Sequence, residues 1–365
     1  MATLFDYLYW RGDLPFSVSA FGAVDGVILA RLAYVPFERI PAFDTDTQIS
    51  VQQAAEALLA QPGIDEAVRR PDDVTLLRAL AGSARFRTLL LSNYVNKLDA
   101  KTQTQFSAVT LAFPDGTALV SFRGTDSTLI GWKEDFNMSF VCPVPAQELA
   151  VSYLERAAAA YPDAPLLVAG HSKGGNLAVY AAAFCQQPVQ ARIRAVYNYD
   201  GPGFEAKTLA QPGYQRVYAR VQTFVPQSSV VGMLLGHEEA YTIVHSTQSG
   251  LTQHDVYSWE VRPDGFVCLE TVTNSSRFLD ATLKSWLASM DTSQREAFVD
   301  AVYDIMVQTN AHTLHEMGEN WLQSAGSILH SIKNLDDDTR HAVTHALTLL
   351  VRSAGSGLSQ FRSAT

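Results

Sequence analysis

The sequence predicts an α/β fold: a mostly parallel sheet with helices on both faces and helical additions at both ends. Three observations predict it. Between Phe106 and about residue 270, short apolar runs alternate with helical stretches, as strand–helix–strand units do. One run, Pro165–Ala169 (PLLVA), passes through a Gly-rich turn into an Ala-rich helix at Gly174–Cys185. The chain of 365 residues is 47% hydrophobic and 18% charged, enough apolar material for such a core and too much for a disordered chain.

Residues 1–104 read as mostly helical. Gln48–Ala60 and Asp73–Ala81 carry apolar residues at helical spacing, Gln61-Pro62-Gly63 ends the first, and Arg85–Lys97 reads as a further helix. Arg11-Gly12-Asp13 spells an adhesion tripeptide but reads as a simple turn. From Phe106, FSAVTLAF and TALVSF flank Pro114-Asp115-Gly116 as a hairpin. Val144–Ala160 reads as a helix and Ile193–Tyr199 as a buried strand. Val217–Val225, Tyr241–His245 and Val256–Val261 are further strand candidates, and Arg262-Pro263-Asp264-Gly265 turns into FVCLE. After about residue 275 the chain reads as helical to its end, with capping boxes at Ser293–Glu296 and Thr313–Glu316. The expected division is a helical region over 1–104 packed on the core, a catalytic core over 105–274, and a helical region over 275–365.

Charge and cysteine content narrow the partners. The formal net charge is −10, from 27 basic and 37 acidic residues with no Lys/Arg cluster. Phosphate contacts dominate nucleic-acid affinity, so no nucleic-acid partner is expected, nor docking on anionic lipid. Cys142, Cys185 and Cys268 are too few and too scattered for a disulfide framework or zinc knuckle, and suit a reducing compartment. The opening MATLFDYLYWRGD lacks the basic region of a signal peptide and carries Asp6 inside its apolar stretch. The best apolar run, Val27–Val35, is broken by Arg31 and falls short of the ~18 residues a membrane span needs. The expectation is a cytoplasmic protein without stable membrane insertion.

The most informative stretch is Leu166–Tyr180, LLVAGHSKGGNLAVY. Gly170-His171-Ser172-Lys173-Gly174 is G-x-S-x-G, following an apolar strand and opening a helix, which is the context a nucleophile elbow requires. The serine of such an elbow sits on a strained strand-to-helix turn, so the residues two before and two after must be small. The N–H of Lys173 then points at a developing oxyanion, aided by the helix N-terminus.

Upstream stands Val120-Ser121-Phe122-Arg123-Gly124-Thr125-Asp126, then Gly131-Trp132-Lys133-Glu134-Asp135. A strand ending in F-R-G-[ST], a following W-x-x-D and then G-H-S-x-G-G-x-L-A together resemble the class 3 (fungal-type) lipases of the α/β-hydrolase superfamily. That resemblance implies an α/β-hydrolase fold, Thr125 as second oxyanion-hole donor and Asp135 as its supporting acid. The chain is more similar still to an uncharacterised bacterial α/β-hydrolase family related to those lipases. The shared features are DYLYWRGD at Asp6–Asp13, Val24–Val27, GHSKGGNLA, Asp200–Phe204, Val225–Gly232, and Gln253-His254-Asp255 leading to Trp259.

The base is expected to be a histidine after the last core strands. Of nine histidines, His254 lies in that region and matches the family's H-x-x-x-x-W with Trp259. His171 resembles the family's structural elbow histidine; His237 and His245 flank a strand; His312, His315, His330, His341 and His345 lie in the C-terminal helices. The i,i+4 pair His341 and His345 has no third ligand at metal spacing and reads as a solvated helix face. The acid is the point of departure. Where class 3 lipases carry Asp-x-Val-Pro, this chain has Thr223-Phe224-Val225-Pro226-Gln227-Ser228-Ser229, with no carboxylate. Either Gln227 or Ser228 orients the base, or the acid has moved to Asp200 at the carboxyl end of the preceding strand.

The expected function is a serine esterase or lipase-like hydrolase. Ser172 is the nucleophile, His254 the base and Asp200 the acid, with Lys173 and Thr125 at the oxyanion; no metal or organic cofactor is called for. Two alternatives stand beside it: a catalytically degenerate fold serving as a binding or scaffold module, and a serine acyltransferase or thioesterase.

Overall fold

The computed structural model describes residues 1–41, 43, 47–99, 101–102, 104–125, 134, 137–138, 142–229, 231–233, 235–272 and 294. In chain order these form helices α1 (Leu4–Arg11) and α2 (Ala23–Leu32), strand β1 (Ile49–Ser50), α3 (Val51–Leu59), α4 (Ile64–Ala67) and α5 (Pro71–Gly82). Strands β2 (Leu90–Asp99), β3 (Thr104–Ala112) and β4 (Ala118–Phe122) follow, then α6 (Pro145–Ala160), β5 (Leu166–His171), α7 (Lys173–Phe184) and α8 (Gln187–Arg192). Next come β6 (Ile193–Tyr199), α9 (Ala206–Leu209), α10 (Pro212–Val217), β7 (Val221–Pro226), β8 (Tyr241–Val244), β9 (Val261–Arg262), β10 (Gly265–Phe266) and β11 (Cys268–Leu269).

Nine of the strands make one sheet in the order β1-β2-β3-β4-β5-β6-β7-β8-β11. From β4 to β8 the neighbours run parallel, while the described pairs outside that block, β1–β2, β3–β4 and β8–β11, are antiparallel. This is the expected mostly parallel sheet, parallel from β4 to β8 and covered by helices.

Strand alternation assigns the two faces. Leu167, Ala169, Tyr197 and Tyr199 join the core cluster that holds Val24, Val27 and Ile28 of α2. On the same face, Ser121 Oγ donates to the Leu29 carbonyl at 3.1 Å. One residue along β4, Phe122 points the other way and packs edge-on to Tyr153 of α6 at 5.8 Å. Helix α2 is buried nearly all round, and its two charged residues are paired: Asp25 with Arg85 and Arg31 with Asp73, each by two bonds of 2.6–2.7 Å.

Two expectations change. Residues 85–97 do not form one helix; Leu90–Asp99 is a strand inserted between β1 and β3. A run such as LLLSNYV does not separate helix from strand by periodicity, and sheet pairing decides it. Asn93, at φ 54°, also takes a left-handed conformation that no helix admits. Val256–Val261 is not a single strand either. Asp255 Oδ1 accepts the Tyr257 N–H, and Val256–Ser258 closes as a 3₁₀ turn ahead of β9. The C-terminal helices and their capping boxes lie outside the described residues, Gln294 apart.

The chain divides into two compact units. One takes Met1–Lys97, Phe106–Gly124 and Ala146–Val272; the other takes Leu98–Gln105, Thr125–Pro145 and Thr273–Thr365. Within the second, the buried Glu134 accepts the Gln105 N–H at 3.0 Å through its carboxylate and the Met138 N–H at 3.0 Å through its carbonyl. No helix among the described residues is long and apolar enough to cross a membrane, and none of their His, Cys, Asp and Glu groups is arranged to hold a metal ion. Cys142, Cys185 and Cys268 form no disulfide.

Candidate active site

Ser172 stands between β5 and α7 at φ 60°, ψ −134°. A residue with a Cβ is strained there by roughly 1–3 kcal/mol, a cost the flanking strand and helix must sustain. The close packing shows why the neighbours are glycines: a Cβ on Gly170 lies 2.0 Å from the Gly174 carbonyl oxygen, and one on Gly174 lies 2.2 Å from that of Phe122. The Ser172 side chain does not cap its own helix, although it is the N-cap residue. Lys173 begins α7, so its N–H belongs to the positive end of a 12-residue helix.

Asp200 follows β6 directly. In the sheet, His171 is opposite Tyr199, so Ser172 and Asp200 leave neighbouring parallel strands at the same carboxyl edge. The Asp200 turn is bound on several sides. The Asp200 N–H donates to the Phe224 carbonyl at 2.8 Å, the Gly201 N–H to Asn198 Oδ1 at 2.9 Å, and Asn176 Nδ2 to the Pro202 and Gly203 carbonyls at 3.0 and 3.1 Å. Asn176 sits in the first turns of α7 and is itself held by Gln147 at 2.8 Å. The elbow helix therefore fixes the acid's turn as well as the nucleophile.

His254 reaches Asp200 from the 3₁₀ segment Gly250–His254. Its Nδ1 lies 2.7 Å from Asp200 Oδ2; the aspartate side chain is 1% exposed and the imidazole 28%. The other carboxylate oxygen, Oδ1, accepts from Ser229 Oγ at 2.5 Å and from the Gly232 N–H at 3.1 Å. The structure thus brings Asp200 and His254 into contact. Gln227 instead exchanges two bonds with the Ser246 backbone, and the Ser228 N–H donates to Gln253 Oε1 at 2.8 Å.

A further network joins the base to the elbow. His171 Nε2 donates to the His254 carbonyl at 2.9 Å, and the two rings lie 4.6 Å apart. A carbonyl only accepts, so Nε2 carries the proton, and Nδ1 accepts from Tyr34 Oη at 3.0 Å. Burial, with the positive potential of His254 and Arg31, holds the His171 pKa well below the ordinary imidazole range and keeps the ring neutral. The same Tyr34 oxygen accepts the Gly124 N–H at 3.1 Å, and Gly124 passes close enough to the elbow that a Cβ there lies 3.0 Å from Ser172 Cβ.

Thr125 is half-buried and belongs to the second compact unit; Asp135 lies outside the described residues. His245 pairs with Glu260 at 2.7 Å and His237 with Glu239 at 3.1 Å. The remaining five histidines are outside the described residues. Sequence reasoning missed Tyr34, Ser229 and Gly232. The motif V-P-Q-S-S-V-V-G contains the last two, but nothing in it says that Ser229 rather than Ser228 faces the acid.

Solved structures similar to this chain include an MDLA mutant from Penicillium cyclopium, 15% identical over 75% of this chain and 90% of that one, with a TM-score of 0.39. Lipase II from Rhizopus niveus is 16% identical over 74% and 89%, with a TM-score of 0.38. No curated protein sequence matches the chain. The model of the family described as Mbeg1-like matches residues 80–304, more than half of the sequence, and the chain belongs to that family.

Proposed function

We propose that this protein is a serine hydrolase that cleaves carboxylic esters of lipid or other acyl type through an acyl-enzyme. The observation that carries the reading is the 2.7 Å bond between His254 Nδ1 and the buried Asp200, beside a serine at a strained strand-to-helix turn. Asp200 accepts a hydrogen bond from Nδ1–H, which leaves Nε2 of His254 as the base. Ser172 Oγ attacks the acyl carbon and its proton passes to Nε2. The Lys173 N–H, with Thr125 from the sequence-based reading, holds the oxyanion, and Asp135 supports Thr125. Collapse expels the alcohol, which takes the proton from His254. Water, deprotonated by the same ring, then releases the acid and restores Ser172.

The scaffold reading rests on the missing carboxylate after Val225, and the Asp200–His254 bond supports the hydrolase over it. A transferase needs the same triad and differs in the acceptor, and a thioesterase differs in its leaving group, a thiol. The cytoplasmic assignment rests on the scattered cysteines. A p-nitrophenyl ester series of increasing acyl length on the wild type and Ser172→Ala tests the proposal. The wild type is expected to turn over part of the series, and Ser172→Ala to lose on the order of 10⁶ in kcat. Retention of more than about a tenth of wild-type activity in Ser172→Ala contradicts it.

A further inference from the structure

Behind Asp200 lies a second buried acid–imidazole pair that the proposed reaction does not use. Between β7 and β8, His237 Nδ1 meets Glu239 Oε1 at 3.1 Å, with side-chain exposures of 8% and 3%. Oε1 also accepts from Thr223 Oγ1 at 2.6 Å, and Oε2 accepts from Tyr214 Oη at 2.6 Å. The other ring nitrogen, Nε2, faces the Gly232 carbonyl at 2.8 Å. Carbonyl and carboxylate both only accept, so each ring nitrogen of His237 faces an acceptor. Burial opposes the charge on Glu239, but the bonds from His237, Thr223 and Tyr214 outweigh it and hold its pKa down at about 2.

The pair holds Gly232. While the Gly232 carbonyl accepts from His237 Nε2, the N–H of the same residue donates to Asp200 Oδ1 at 3.1 Å. The Gly232 backbone passes so close to the acid that a Cβ there lies 2.3 Å from Asp200 Oδ1 and 2.8 Å from Val225 Cγ1. Next to His237, Gly236 exchanges two backbone bonds with Phe204, at 2.8 and 3.0 Å, just beyond the Asp200 turn. The loop is thus clamped to that turn from both ends.

We propose that His237 and Glu239 are positioning residues for the acid: the His237 bond to the Gly232 carbonyl sets the Gly232 N–H against Asp200 Oδ1 and leaves Oδ2 aimed at His254. This rests on the reading of Ser172, His254 and Asp200 as the catalytic groups. The test uses the full chain with His237→Leu and His237→Gln, comparing ester kcat and KM and the rate of fluorophosphonate labelling. His237→Leu is expected to lose about 10- to 100-fold in kcat and labelling rate, with KM within about twofold. His237→Gln, whose amide N–H reaches the same carbonyl, is expected to recover to within about threefold of wild type. If His237→Leu does not fold, His237→Asn replaces it, because its shorter amide stops short of Gly232. Wild-type rates in the Leu or Asn variant, or an equal loss in the Gln variant, overturn the proposal. A wild type that neither hydrolyses nor labels is a failure of the hydrolase reading instead. The NMR signal of the His254 Nδ1 proton then decides: lost in Leu and kept in Gln supports positioning, and any other pattern overturns it.

Discussion

Asp25 in α2 and Asp200 after β6 are both buried carboxylates, 0% and 1% exposed, yet their partners differ in kind. Asp25 accepts from Arg85 Nε and Nη2 at 2.7 and 2.6 Å, from the Gly22 N–H at 2.9 Å and from Tyr7 Oη at 3.1 Å. The remaining Arg85 N–H groups go to the Leu14, Ser19 and Ala20 carbonyls, so the guanidinium has no donor left over. A guanidinium does not release its proton, and this site is permanently closed. Asp200 is held by a hydroxyl, a backbone N–H and an imidazole that is partly open to solvent. Its one titratable partner can take up and give back a proton. On the proposed reading, the partner alone divides two carboxylates of equal burial into a structural one and a chemical one.

The largest effect expected from breaking this comparison is on Asp200. Asp200→Asn is isosteric but removes the charge and leaves His254 in the wrong tautomer, and a kcat loss of about 10⁴ is expected with little change in thermal midpoint. Ser228→Ala and Gln227→Ala, measured in the same assay, are expected to cost about tenfold or less. Asp25→Asn is expected to do the reverse. It strands the Arg85 guanidinium and costs roughly 3–5 kcal/mol in chemical denaturation, with activity per folded molecule unchanged.

A smaller change is expected at Tyr34, which belongs to both worlds. Tyr34→Phe removes the bonds to Gly124 and His171, and a kcat loss of about tenfold at a nearly constant midpoint is the expected result. The smallest effect is on the pH dependence of stability. The His171 pKa is depressed in the fold, chiefly by burial, against about 6.5 when unfolded. Below 6.5 the unfolded chain therefore binds a proton that the folded chain does not, so stability falls as pH falls through that window. His171→Gln is expected to make the acid limb of the stability curve shallower, by at most one proton, in denaturant titrations across that range.

The two halves of the candidate site were unequally legible in the sequence. The elbow is local: strand, serine, glycines and helix lie within Leu166–Phe184, and the pattern that implies them is continuous. The partners are not. Asp200, Ser229, Gly232 and His254 come from three separate loops, joined only by the order of β6, β7 and β8 in the sheet. Sequence order narrows the acid to the end of β6 or the turn after β7, and the folded loops set Asp200 against His254 Nδ1. Tyr34 carries no sequence signal at all, since an apolar helix end followed by tyrosine reads as core. The misread segment over 85–97 has the same origin: its apolar run suits either element, and its neighbours in the sheet decide.

On the proposed reading, Ser172 is an activated nucleophile served by His254 and Asp200. Incubation of the full chain with a fluorophosphonate, followed by peptide mass spectrometry, tests it most directly. The expected result is one phosphonyl adduct on Ser172 in the wild type, absent from Ser172→Ala and slowed by about 10⁴ in Asp200→Asn if labelling tracks the triad as turnover does. An unlabelled Ser172 in folded protein, or labelling that Asp200→Asn leaves unchanged, contradicts it.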